Sequence, residues 1–170
     1  MVTLVPLSAD DPRAQRLLTD YFAMRAEAFP QGQTYRPVFP EASVFTPPAG
    51  VFFVAVDDDG RDVGCGGIRR IADGPDGPRY EVKHLYLDPS TRGRGWGRVL
   101  LEGLEAQARE WGAADLVLDT HHTLEAAGGL YARSGFTAIE PYNDNPNATR
   151  WYGKQLSLPA AAGCSVNSQA

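Results

Sequence analysis

The sequence predicts a mixed α/β domain: a mostly antiparallel central sheet flanked by helices. Three observations carry that reading. Apolar, β-branched runs alternate along the chain with amphipathic helical stretches. Turn signals of the Asp-Asp-Gly and Gly-Pro-Asp-Gly kind join three consecutive strand-like runs, so those strands fold back on one another. The length of 170 residues suits one domain with a core of its own.

Residues 2–7 read as a short strand. Asp10-Asp11-Pro12 supplies a helix start, and Leu17, Leu18, Tyr21, Phe22 and Arg25 follow at helical spacing, so a helix runs to about residue 28. The next stretch holds Pro30, Pro37, Pro40, Pro47 and Pro48, which exclude regular structure from most of it. Because it also carries Phe29, Tyr35 and Phe39, it reads as a lid or pocket wall. Residues 51–56 and 62–70 form a hairpin about Asp57-Asp58-Asp59-Gly60, and 80–87 is a third strand closed by Asp88-Pro89.

From Gly97 to Trp111 the stripe Leu100, Leu101, Leu104, Ala108 and Trp111 marks the clearest helix, with Glu105 and Arg109 set for an i,i+4 pair and Gly112 as the stop. Leu116-Val117-Leu118 is a buried strand. A helix over about 124–134 and short strands near 136–140 and 149–156 complete residues 1–157 as one domain. From 158 to 170 the composition of Ala, Gly, Ser, Asn and Gln predicts a flexible tail.

Composition narrows the function classes. A formal charge of −5 argues against a nucleic-acid partner, which calls for a basic stripe. No apolar run is long enough to span a bilayer, so no membrane partner is expected, and the start of the chain lacks the features of a signal peptide. A cytoplasmic location is the resulting expectation. Cys65 and Cys164 read as two free thiols, Cys65 as a buried one. His84, His121, His122 and Asp119 lack metal-ligand spacing, and adjacent histidines on an extended segment point to opposite faces, so no metal is expected.

The densest signal is Leu85-Tyr86-Leu87-Asp88-Pro89-Ser90-Thr91-Arg92-Gly93-Arg94-Gly95-Trp96-Gly97-Arg98. A strand enters a glycine-rich turn that opens an amphipathic helix, and Arg92, Arg94 and Arg98 add charge there. Unpaired first-turn N–H groups, the helix dipole and the arginines together make an anion site suited to a pyrophosphate. A P-loop is excluded because G-x-x-x-x-G-K-[ST] is absent, and G-x-G-x-G after antiparallel strands is a poor dinucleotide fingerprint.

Arg92 to Gly97 fits R-x-x-G-x-G and resembles the acetyl-CoA pyrophosphate loop of the GNAT superfamily of N-acetyltransferases. Tyr80 to Leu87 is similar to that superfamily's fourth strand, and Ala127-Gly128-Gly129-Leu130-Tyr131-Ala132-Arg133-Ser134-Gly135-Phe136 is similar to its A-x-x-L-Y-x-x-x-G-F helix and turn. The resemblance implies a GNAT-like fold and acetyl-CoA as cosubstrate. Leu85, Tyr86 and Leu87 would offer backbone groups to the pantetheine arm. Arg92, Gly93, Arg94, Gly95, Trp96, Gly97 and Arg98 would hold the pyrophosphate, with Ala127 also on the cofactor side.

Tyr131 would face the sulfur, and Glu81 falls where several members keep a catalytic carboxylate. One departure is Leu124, where many members carry an asparagine that touches the pantetheine. The implied reaction is acetyl transfer to a primary amine of a small molecule or peptide. A non-catalytic acyl-CoA-binding regulatory module is the competing reading, although it needs neither Tyr131 nor Glu81. Tyr142 to Asn147 and Trp151 are candidates for the acceptor pocket. Aminoglycosides, polyamines, amino acids and peptide N-termini all stay open as acceptors, as does a sheet-edge homodimer.

Overall fold

A computed structural model describes residues 1–156; the expected tail, with Cys164, lies outside the described residues. The strands are β1 (Val2–Pro6), β2 (Gly50–Asp57), β3 (Asp62–Gly74), β4 (Gly77–Leu87), β5 (Asp115–Thr120), β6 (Thr137–Ala138) and β7 (Arg150–Gln155). The helices are α1 (Pro12–Ala28), α2 (Trp96–Glu110) and α3 (Glu125–Arg133). The strands form one seven-stranded sheet in the order β1-β2-β3-β4-β5-β7-β6. Every pairing is antiparallel except β4 with β5.

Helix α1 begins as the sequence predicts: the Asp11 carboxylate accepts the Arg13 N–H at 2.8 Å, and Pro12 opens the first turn. Its buried stripe is Ala14, Leu17, Leu18, Tyr21, Phe22 and Arg25. The stripe packs on Phe52, Val54 and Cys65 of one sheet face. On the opposite face Leu101, Leu104 and Ala108 of α2 and Tyr131 of α3 pack against Val51, Ile68, Val82 and Leu116. Adjacent residues Val51 and Phe52 thus serve different layers, as the two-residue period of a strand requires.

The ends of β3, β4 and β6 differ from the sequence reading. The β3–β4 ladder runs on to Gly74↔Gly77, so both strands reach past the expected 70 and 80 into a tight turn. β6 shrinks to Thr137 and Ala138 because Phe136 turns into the core and only two residues pair with β7. The 29–49 segment is irregular apart from a single 3₁₀ turn, Ala42–Phe45.

Candidate active site

The site begins as a defect in the sheet. β4 and β5 pair only through Arg79↔Asp115, Tyr80↔Leu116 and Glu81↔Val117. Beyond Glu81 the strands part, and Val82, Lys83, Tyr86 and Leu87 of β4 keep a ladder partner on the β3 side alone. His84, at φ 57°, marks the break: three residues of β3, Cys65 to Gly67, face four of β4, Lys83 to Tyr86. Such a bulge bends a strand and re-aims its groups. Asp88 donates to the Val63 carbonyl at 2.8 Å, toward β3. Antiparallel bonding groups alternate in direction, so Leu87 turns its N–H and carbonyl the other way, into the gap. Val82 to Leu87 all line the resulting cleft, which holds about 1400 Å³. An exposed row of backbone groups can accept an extended ligand as an added strand.

At one end of the cleft is the start of α2. Gly93 (φ 78°) and Gly95 (φ 74°) adopt the left-handed conformation that L side chains resist, and Gly95 caps the helix with no side chain over its first N–H groups. Arg92, Gly93, Gly95, Trp96, Gly97 and Arg98 all line the cleft. Arg94 does not; its guanidinium lies over the Trp96 ring, 5.0 Å from the centroid. Arg98 is held by Glu102 at 2.7 Å in an exposed pair that water can exchange. Gly97 packs closely, since a Cβ there would lie 3.3 Å from Leu130 Cδ2 of α3.

Helix α3 forms the far wall with Leu124, Ala127, Leu130 and Tyr131. Leu124 is its N-cap residue and offers no side-chain cap. Tyr131 is almost fully buried, its ring edge-on to Phe136, and its hydroxyl makes no hydrogen bond among the described residues. Burial pushes its pKa well above the usual phenol value, so the hydroxyl keeps its proton at neutral pH.

The other end is a side-chain network. Lys83 Nζ bridges from β4 to the Asp119 carboxylate of β5 at 3.2 Å, across the point where the backbone ladder has stopped. Asn143 and Asn145 also donate to Asp119, at 2.7 and 3.1 Å. Burial alone would raise the Asp119 carboxyl, but Lys83 and the two amides outweigh it, and its pKa lies below the usual value. Glu81 is 1% exposed and fully bonded: Arg69 Nε donates at 2.8 Å, the Tyr142 hydroxyl at 2.6 Å and Asn143 at 3.4 Å. It faces a smaller cavity, of about 290 Å³, beside the main cleft, while Arg69 and Asn143 line both. Burial and then the Glu81 charge hold the Tyr142 phenol protonated. Trp151 is set back from the cleft and fixes Asn143 through a 2.8 Å bond from its indole N–H.

The histidines depart from expectation. His121 and His122 lie in the turn after β5, where their rings stack at 4.4 Å, whereas an extended segment would have turned them to opposite faces. His84 sits among Tyr21, Phe22 and Phe45, with Nδ1 lacking a partner among the described residues. Burial, helped by Lys83 and Arg69, lowers its pKa to about 3. It is a neutral, weakly basic ring.

The sequence reading named Glu81, Tyr142 and Asn143 but not their pairing, weighed Asp119 only as a metal ligand, and gave Lys83 and Arg25 no part in the site. The missing signal was the β4–β5 register. Once Arg79 is known to face Asp115, the same offset brings Lys83 to Asp119.

The sheet is thus parted between two parallel strands, and one free backbone edge runs to an arginine-flanked helix start. The profile of the acetyltransferase (GNAT) family matches residues 13–136, and the chain belongs to that family. An uncharacterized N-acetyltransferase of Schizosaccharomyces pombe is 36% identical over 103 residues, 60% of this chain and 61% of that protein. The IAA acetyltransferase of Azospirillum brasilense is 35% identical over 97 residues, 55% of this chain and 61% of its own length. The match thus spans about three-fifths of these curated relatives. Among solved structures, a Klebsiella pneumoniae protein described as an acyl-CoA N-acyltransferase superposes with a TM-score of 0.72 at 28% identity, over 92% of this chain and 99% of that one. A GNAT-family acetyltransferase of Staphylococcus aureus gives 0.74 at 17% identity over 92% and 100%, a likeness of fold.

Proposed function

We propose that the chain transfers an acetyl group from acetyl-CoA to a primary amine of a small molecule or peptide, by direct attack in a ternary complex. The observation that carries this reading is the unpaired edge of β4 leading into the glycine-rich start of α2. Leu85 and Leu87 hold the pantetheine arm as a neighbouring strand would, with Tyr86 between them bonded toward β3, and the first turn of α2 with Arg92 and Arg98 takes the pyrophosphate. Ala127 and Leu130 close the apolar side. Arg94, turned onto Trp96, shapes the loop and adds charge at longer range.

Acetyl-CoA supplies the activated acetyl thioester. The Leu87 N–H polarises its carbonyl, and Tyr131, protonated and without another partner among the described residues, gives its proton to the departing thiolate. Glu81 takes the acceptor's proton. Because it opens on the side cavity and not on the cleft, it does so through water at the Asn143 wall. Its bonds to Arg69 and Tyr142 keep the carboxylate in place.

The reading is tested by free-thiol release from acetyl-CoA across a panel of amines. Release that depends on an amine, with an acetylated product, is expected. Binding of acetyl-CoA without release would make the protein a non-catalytic binding module. The base is tested by Glu81→Gln, which should depress turnover most at low pH and recover partly as the amine deprotonates without help. A profile identical in shape to the parent's would remove Glu81 from that role.

A further inference from the structure

The acceptor end of the cleft holds a buried cation with no counter-charge among the described residues. Arg25 occupies the next position of the apolar stripe of α1, after Tyr21 and Phe22, and is 7% exposed. Two of its N–H groups are used, one on the Tyr21 hydroxyl and one on the Asn147 carbonyl, both at 2.9 Å. The guanidinium also lies 5.5 Å from the centroid of the Tyr35 ring. Burial raises the Tyr21 phenol, so that partner stays neutral.

No carboxylate pairs with Arg25 among the described residues. Its neighbours differ: Arg69 pairs with Glu81 and Lys83 with Asp119. The non-exposed charged groups at this end are therefore Arg25, Arg69 and Lys83 against Glu81 and Asp119, one positive charge in excess. Glu27 and Arg36 on the rim are exposed and of opposite sign. Leaving a buried cation uncompensated is costly, and a guanidinium with free N–H groups is shaped for a carboxylate.

Around this cation the wall is apolar and aromatic: Tyr21, Phe22, Met24, Tyr35 and Val38 all line the cleft. Arg25 lines the same cleft as Tyr131 and His84. A ligand that fits presents a carboxylate to Arg25, an amine within a bond or two of it, and an apolar body to the wall. We infer that the acceptor is an apolar α-amino acid whose carboxylate is bound by Arg25. This rests on the acetyltransferase reading and narrows it.

The test compares matched acceptors by thiol release: phenylalanine against phenethylamine and phenylalanine amide, and leucine against 3-methylbutylamine. The free amino acids should show kcat/KM at least about tenfold higher, the value of a charge-assisted pair. In Arg25→Gln that preference should collapse to near parity, and Arg25→Lys should restore part of it. A second readout needs no variant: 3-phenylpropanoate should compete with the amine acceptor, and 3-phenylpropanamide should not. Faster turnover of the decarboxylated amines, or a preference unchanged in Arg25→Gln, overturns the inference while leaving the acetyltransferase reading standing. Thiol release with no acceptor at all overturns the reading and the inference together.

Discussion

The two ends of the cleft are built from different materials. Around α2 the surface is backbone: left-handed glycines, an uncapped helix start and a strand edge without a partner. Around α1 and the 142–147 segment it is side chain, a web of ion pairs and amide bonds that already satisfies Glu81 and Asp119. A backbone site can serve any ligand of the right shape and charge, so it suits a cofactor common to many chemistries. A side-chain site is specific because each group is committed, and there the exception, Arg25, is informative.

The largest expected effect tests the backbone end. Gly97→Glu places bulk and negative charge where a pyrophosphate should lie. Acetyl-CoA affinity should fall on the order of a hundredfold or more, read by calorimetry. The nearest atom to the new Cβ is the end of a leucine side chain, so the melting temperature should change little. Unchanged affinity in a folded variant would dissolve the contrast between the two ends.

Tyr131→Phe keeps the ring packed against Phe136 and removes only the hydroxyl. Turnover should fall by ~10²–10⁴ with acetyl-CoA affinity nearly unchanged. Turnover within twofold of the parent would return Tyr131 to a packing role.

A smaller effect probes the committed side chains. Lys83→Met leaves Asp119 buried without its cation and should cost about 3 kcal/mol at pH 7 in urea denaturation. The Asp119 pKa is lowered in the folded state, so the pair's contribution is present above its unfolded value of about 3.9 and fades as pH falls through the lower folded value. The gap between parent and variant should therefore narrow below about pH 4. A gap constant from pH 7 to pH 3 would mean that Lys83 acts by packing alone.

The same contrast explains what the sequence revealed. Most strands and helices were legible because turn glycines, prolines and stripes such as Leu100–Leu104–Ala108 are local signals. The arginine- and glycine-rich loop was legible for the same reason: its function resides in consecutive residues. The network at the acceptor end was not, because Lys83 meets Asp119 and Glu81 meets Tyr142 only through the sheet's register and a loop far along the chain. The bulge at His84 carries only a weak local signal: histidine is enriched among residues of positive φ, yet few histidines adopt it. The stacking of His121 on His122 follows from a turn that the sequence reading took as extended.

The central claim is that the free edge of β4 receives acetyl-CoA as an added strand. Amide hydrogen exchange, resolved residue by residue with and without acetyl-CoA, tests it most directly. The Leu87 N–H faces the gap and should slow by about tenfold or more when acetyl-CoA is added, whereas Tyr86, turned toward β3, should change little. Slowing at residues 92–97 with Leu87 unaffected would show that the pyrophosphate loop binds but the strand edge does not, and would contradict the account.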